Sequence, residues 1–295
     1  MVRGAYMRNR IDIHVSDKFF TGVLYVVMIL FCITTVYPFF YLLSLSLSSA
    51  NVSYTQINII PFEITFEAYR RVLRDEYVWL GFWNTLLRTV LGTLTTLFVT
   101  LLMAYPLSKR HLPHRAFWTG LVVFTMYFHG GLIPTYLLIK KLDMFNSIWV
   151  LVLPCLINTF HLIIVRNFFM SIPDSLEESA HIDGANDVVI LFLIILPVSL
   201  PIVATLAMWT AVWHWNAWFD ALLYVPDVKK QVLQNVMRRL VLDGVMEVNA
   251  TDDTLVNPEN IKAATIMVAT VPIILVYPFI QKYFVKGVMV GSVKG

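Results

Sequence analysis

Long apolar stretches alternate along this chain with short polar clusters, and each stretch has at least the roughly 20 residues a helix needs to cross about 30 Å of hydrocarbon. Six are legible: Phe19–Ser46, Phe82–Leu107, Ala116–Ile139, Ile148–Met170, Val188–Val225 and Ile261–Phe284. In lipid every backbone amide must be satisfied within its own segment, so runs this long read as helices; barrel strands would be about half the length and alternate in polarity. The pattern predicts an all-α, polytopic integral membrane protein with six transmembrane helices.

Composition agrees, since 58% of the 295 residues are hydrophobic and only 14% are charged. The expected layout is an N-terminal arm over 1–18, a first helix over 19–47, an outer loop over 48–81 and a five-helix domain over 82–284. That domain holds an inner loop at 171–187 and an outer loop at 226–260, and a tail follows over 285–295. The arm carries Arg3, Arg8, Arg10 and Lys18, and the apolar run behind it is too long for a secretory signal. Six spans put both ends on one side. Lys109, Arg110 and Arg115 in a short loop favour a cytoplasmic N-terminus, and the basic residues opposite lie in long loops, which weigh little. The expected location is thus the bacterial inner membrane with both termini cytoplasmic.

Other chemistry is sparse. Cys32 and Cys155 lie inside apolar spans and read as small packing residues. A net charge of +3, dispersed along the chain, gives no reason to expect nucleic acid. His111 and His114 have a metal-like spacing, but Pro113 and the flanking cations read as an ordinary turn, and no metal site is expected.

The most informative polar cluster runs from Asp174 to Gly184. Asp174 followed by Glu177 resembles a capping box, Leu176 and Ala180 share a face, and Gly184 suits a left-handed stop. A short exposed amphipathic helix is expected, with Asn186 or Asp187 capping the next one. Carboxylates near its start and small residues on one side suit a groove on a soluble partner. The bland alternative is a solvated loop whose acids act only as caps.

Glu178-Ser179-Ala180, then Gly184, then Ile194-x-Leu196-Pro197 resembles the "EAA" signature of permease subunits of bacterial ATP-binding-cassette importers, with Ser179 in place of the commoner Ala. The resemblance implies a six-helix subunit paired with a second, homologous permease, two ATPase subunits and an extracytoplasmic solute-binding protein. It makes 171–187 a cytoplasmic coupling loop built from Glu177, Glu178, Ser179, Ala180, Asp183, Gly184 and Ala185. Glu178 would pair with the ATPase, Ala180 would be the close-packing contact and Gly184 the turn. No cofactor is expected in the chain, because ATP and Mg would be bound by the partners; it lacks a phosphate-binding G-x-x-x-x-G-K-[ST] loop and is not expected to be an enzyme.

Trp215-Asn216-Ala-Trp218-Phe219-Asp220-Ala221-Leu222 is similar to the Trp-Asn-x-Phe-x-x-Ala-Leu stretch of maltose-type carbohydrate permeases, with Trp218 at the commoner Phe. The segment from Tyr283 to Gly295 is similar to the tail of the subgroup for oligosaccharides from complex polysaccharides, which implies an oligosaccharide, uronate-containing or not, as cargo. Trp209, Trp213, Trp215 and Trp218 can stack on sugar rings or form an interfacial belt. Asn216, His214 and Asp220 tilt the region toward a lined cavity. Asn84, Arg88, His129 and Asn158 are the other candidates for the substrate path, against the plainer role of tying helices together. Arg166 reads as snorkelling to the interface.

Gly130, Gly131 and Pro134 interrupt the third stretch, and Pro197 and Pro201 the fifth; these are the expected bends. The loop over 226–260 is expected to meet the binding protein. An ion-coupled secondary transporter would place carboxylates deep in its spans, which are nearly free of them, and a membrane enzyme would need a convergent catalytic set that the scattered histidines do not form.

Overall fold

A computed structural model describes residues 2–49, 60–61, 63–247 and 257–292. Every regular element among them is helical. In chain order these are α1 (Val2–Ser46), α2 (Glu67–Arg74), α3 (Glu76–Ser108), α4 (Arg115–Tyr127), α5 (Leu132–Lys141), α6 (Thr159–Phe169) and α7 (Ser175–Ile182). Then follow α8 (Asp187–Ile190), α9 (Leu196–Val198), α10 (Leu200–Asn216), α11 (Phe219–Tyr224), α12 (Leu233–Glu247) and α13 (Pro258–Ser292). Two 3-10 turns (Ile148–Leu151, Leu153–Cys155) precede α6, a π turn (Leu191–Ile195) joins α8 to α9, and a 3-10 turn (Val228–Lys230) precedes α12.

Two helices, Lys18–Ser46 within α1 and α3, are each long and apolar enough to cross a membrane unbroken. Three further candidates are bent pairs: α4 with α5 at 108°, the 3-10 turns with α6 at 53°, and α8–α9 with α10 at 85°. The first of these breaks falls at residues 128–131 and the last at Ser199, between Pro197 and Pro201. The sixth apolar stretch lies within α13. Two expected loops differ from the sequence reading. The 48–81 segment contains α2, and α3 begins at Glu76, where Asp75 accepts a hydrogen bond from the Tyr77 amide at 2.8 Å. The 226–260 segment contains α12; its Asp252–Asp253 pair, like the tail's last residues 293–295, lies outside the described residues.

The chain divides into two compact units. In the first, covering 1–72 and 243–267, Thr65 N–H donates to Leu47 O at 2.8 Å, the Ser46 and Tyr69 hydroxyls lie 2.8 Å apart, and Asn260 Nδ2 donates to Ser48 O at 2.6 Å. The second, covering 73–242 and 268–295, is organised by α3, which packs chiefly against α10 and α6. Its buried positions, Val78, Gly81, Thr85, Arg88, Gly92, Thr96 and Thr100, recur every three or four residues and form one face of small and polar side chains. Small residues let helices approach closely where lipid gives no hydrophobic drive to associate. At Gly92 an added Cβ would overlap the His214 ring on α10, and at Gly81 it would lie 3.1 Å from the Leu233 Cα. Toward the α7 end the packing becomes apolar: Leu101, Ala104, Tyr105 and Leu107 join Leu162, Val165, Phe169, Ile190 and Leu206 in one cluster.

Candidate functional site

Three features of the second unit bear on function: the α7 segment, the buried charges at the opposite end of α3, and a cleft beside the break between α4 and α5.

The α7 segment begins after Pro173 without the expected capping box. Asp174 has helical backbone angles (φ −57°, ψ −28°), which aim its carboxylate away from the first amides, and its side chain makes no cap hydrogen bond. Glu177, which would have reached back, is instead paired with Lys109, the residue that ends α3. The stop is as the sequence implied. Gly184 has φ +83°, its N–H donates to His181 O at 3.0 Å, and Ala185 N–H donates to Ala180 O at 2.9 Å, the paired bonds of a Schellman motif. Asn186 then caps α8 by accepting from Val189 N–H at 2.9 Å. His181 Nε2 lies 3.6 Å from Asp187 Oδ1 across this turn.

Helical geometry divides the side chains of α7 between two faces. Residues one or two apart point in different directions, whereas i and i+3 or i+4 align. Glu177 and Ala180 face inward, and Ala180 is only 7% exposed within the apolar cluster. Ala180, the close-packing contact by resemblance, thus docks α7 on its own bundle. Glu178 and Ile182 face outward, with Ser175 and Ser179 beside them; Ile182 is 86% exposed, and the Glu178 carboxylate has no partner among the described residues. Asp183, Gly184 and Ala185 form the rim of the turn. Beside α7 and the end of α3 lies a hollow of about 270 Å³ lined by Lys109, Arg110, Asp174, Glu177 and His181, with the exposed Glu178 at its edge.

At the far end of α3, Arg88 is fully buried. Its guanidinium forms an ion pair with Asp220 and donates to Ala217 O at 3.0 Å, and Asp220 Oδ1 also accepts from the Ala221 N–H at 2.9 Å in the first turn of α11. Asn84 donates to Lys229 O and Gln231 O at 2.8 and 3.0 Å, and Thr85 accepts from Leu233 N–H at 2.8 Å. In this conformation Asn84 and Arg88 tie neighbouring segments together, and Asp220, read as a companion of a lined cavity, is the partner of Arg88. Trp215 is buried edge-on against Phe82, at 5.9 Å between centroids. Arg238 lies over Trp218 at 4.3 Å, Trp209 stacks on His161 at 5.5 Å, and Trp213 is the most open of the four, with Arg88 5.8 Å from its ring. Asn216 donates to Val212 O at 2.9 Å on the surface of α10. His214, read as a companion of a lined cavity, is instead buried against Gly92.

His129 and Asn158 come together as lining of a cleft of about 690 Å³. Thr125 and Thr159, whose hydroxyls are 3.3 Å apart, share that lining, as do Met103 and Phe160. Asn158 also caps α6 by accepting from His161 N–H at 3.1 Å. The two threonines escaped the sequence reading because hydroxyls inside apolar runs look like packing; their approach depends on the fold. Arg166, expected to snorkel, donates from Nε to Leu107 O at 3.0 Å and so satisfies a carbonyl at the end of α3.

The second unit thus combines long and bent apolar helices, of the kind that cross membranes, with one short helix that carries an unpaired acid on its outward face. Comparison gives the family. The chain is 41% identical to the polygalacturonan/rhamnogalacturonan transport system permease protein YtcP of Bacillus subtilis (strain 168), over 95% of this chain and 100% of that protein. It is 43% identical to protein LplC of the same organism, over 88% of this chain and 90% of that one. Among solved structures it matches a chain of a bacterial ABC transporter involved in the import of the acidic polysaccharide alginate, with TM-score 0.84, 33% identity, and coverage of 91% of this chain and 98% of that one. No family model matches. The chain belongs to the permease proteins of ABC importers, membrane components that work with ATPase and solute-binding partners, and the ion-coupled and enzymatic alternatives fall away.

Proposed function

We propose that this permease forms half of the membrane path for an oligosaccharide released from an acidic polysaccharide, with a second, distinct permease subunit as the other half. The transporter sits in the inner membrane with both termini and α7 on the cytoplasmic side, where Glu178 and Ile182 enter a groove on an ATPase. ATP-driven closure of the ATPases moves α7, and the bundle turns its cavity outward to accept sugar from the binding protein. The bends at residues 128–131 and at Ser199 are the points about which that movement takes place. The 226–260 segment, including α12, meets the binding protein.

Polygalacturonan and alginate, named for the relatives, are both acidic, which supports the choice of cargo. Within the cleft, His129, Asn158, Thr125 and Thr159 offer hydrogen bonds to sugar hydroxyls, and Met103 and Phe160 offer apolar surface to ring faces. The observation that carries the coupling reading is the unpaired Glu178 on the outward face of a helix whose inward face is already docked. Vesicles holding the assembled transporter test it with labelled oligosaccharides made from polygalacturonate, from alginate and from a neutral polysaccharide. Glu178→Ala is expected to abolish ATP-dependent uptake while the purified chain keeps its helix content. Uptake at the parent rate would overturn the coupling role, and uptake of only neutral oligosaccharides would overturn the cargo.

A further inference from the structure

Two adjacent glutamates occupy α7, and they meet different surroundings. Glu177 and Lys109 are both 15% exposed and paired with each other, although 68 positions separate them in sequence. The Lys109 ammonium also lies 4.3 Å from the centre of the Tyr105 ring, so its charge is held from two sides. Tyr105 in turn packs edge-on against Phe169, at the end of the helix that leads into α7. The last turn of α3 is fixed by its own bonds: Ser108 Oγ donates to Tyr105 O at 2.6 Å, and Arg166 occupies Leu107 O. Lys109 therefore stands on a rigid post. Ala180, one turn on from Glu177 on the same face, docks into the apolar cluster that contains Leu107 and Tyr105.

We infer that the two glutamates divide the work, Glu177 being clamped by Lys109 so that α7 is locked in rotation about its own axis and Glu178 with Ile182 is presented to the ATPase. Lys109 is a positioning residue, the point at which movement of α7 passes into the second span. Alanine packing alone would leave a helix of this length free to roll, because a methyl group makes one shallow contact. An ion pair on the adjoining position adds a second, directional one. A charge that touched the ATPase directly would have to be exposed, and Lys109 is not.

This inference rests on the coupling reading above, and the test separates the two. In the assembled transporter, with Cys32 and Cys155 changed to serine, Ile182→Cys carries a maleimide–benzophenone label and is photolinked to the ATPase subunit. Lys109→Met and Glu177→Gln are each expected to lower the yield by roughly tenfold, the scale of one charge-assisted hydrogen bond. The double variant should fall no further, and both Lys109→Arg and the exchanged pair Lys109→Glu with Glu177→Lys should recover most of the yield, which a general loss of stability would not allow. Parent-level photolinking in Lys109→Met, or no recovery in the exchanged pair, overturns the clamp while leaving Glu178 in place. If the parent label never reaches the ATPase, or Glu178→Ala leaves ATPase attachment intact, the coupling reading fails and the clamp with it.

Discussion

At the α11 end of α3, Arg88 is buried and paired inside the chain, while at the α7 end two carboxylates stand on successive residues and only Glu177 is matched. The two ends solve different problems. A charge removed from water costs several kcal/mol unless a partner and hydrogen bonds meet it, so Arg88 is held by Asp220 and the Ala217 carbonyl. Glu178 remains in solvent, where leaving a carboxylate unpaired costs little until a protein partner arrives. An internal charge therefore reports on architecture, and a surface charge beside a docked helix reports on assembly.

The largest effect that would break this contrast is expected at Asp220. Asp220→Ala strands the Arg88 guanidinium, and the folded state should lose about 3–5 kcal/mol, seen as a large drop in the thermal midpoint of the detergent-purified chain. Replacing both, with Arg88→Met and Asp220→Leu, should recover most of the loss. Unchanged stability in Asp220→Ala would mean that the pair is not structural, and Arg88 would return as a candidate for meeting a uronate.

A smaller loss is expected where α3 and α10 touch. Gly92→Leu would force the His214 ring aside at a cost of about 1–3 kcal/mol, and His214→Ala in the same chain should relieve it. If Gly92→Leu alone is neutral by thermal unfolding, the close approach of these helices does not hold that end of α3 together.

Much of this architecture was legible from the chain, for identifiable reasons. Spans announce themselves through hydropathy, and the end of α7 and the start of α8 through Gly184 and Asn186, whose backbone preferences are local. Local signals did not reveal partners. Glu177 reads as half of a capping box because Asp174 is three residues away, whereas its actual partner comes from another helix. Ala180 reads as a close-packing contact by resemblance, and its spacing from Glu178 puts the two on different faces. The inner face of α3 carries threonines, glycines and an arginine, so an apolar pattern does not mark it. For the same reason α3, the less apolar of the two unbroken spans, is the one that organises the packing of its unit. Hydropathy identifies what can face lipid, and small or polar residues identify what must face protein.

The subtlest prediction concerns Gly184, where the two kinds of constraint can be separated at one position. Its φ of +83° is strained for any L side chain, yet nothing lies within 4 Å of an added Cβ. Gly184→Ala should therefore cost about 1 kcal/mol through the backbone alone, and Gly184→Asn less, since asparagine tolerates this region better. Gly184→Trp should cost about as much as Gly184→Ala in the isolated chain, because the strain lies in the backbone and nothing crowds the Cβ. Hydrogen exchange of the 175–190 segment measures this directly, as faster exchange at the end of α7. In the assembled transporter the comparison changes. If an ATPase groove receives the α7 turn, tryptophan will be excluded where alanine is accepted, and the Trp variant will lose ATPase attachment while the Ala variant keeps most of it. Size dependence that appears only in the complex is the signature of a surface shaped for a partner, and size dependence in the isolated chain would mean that the turn packs against its own bundle instead.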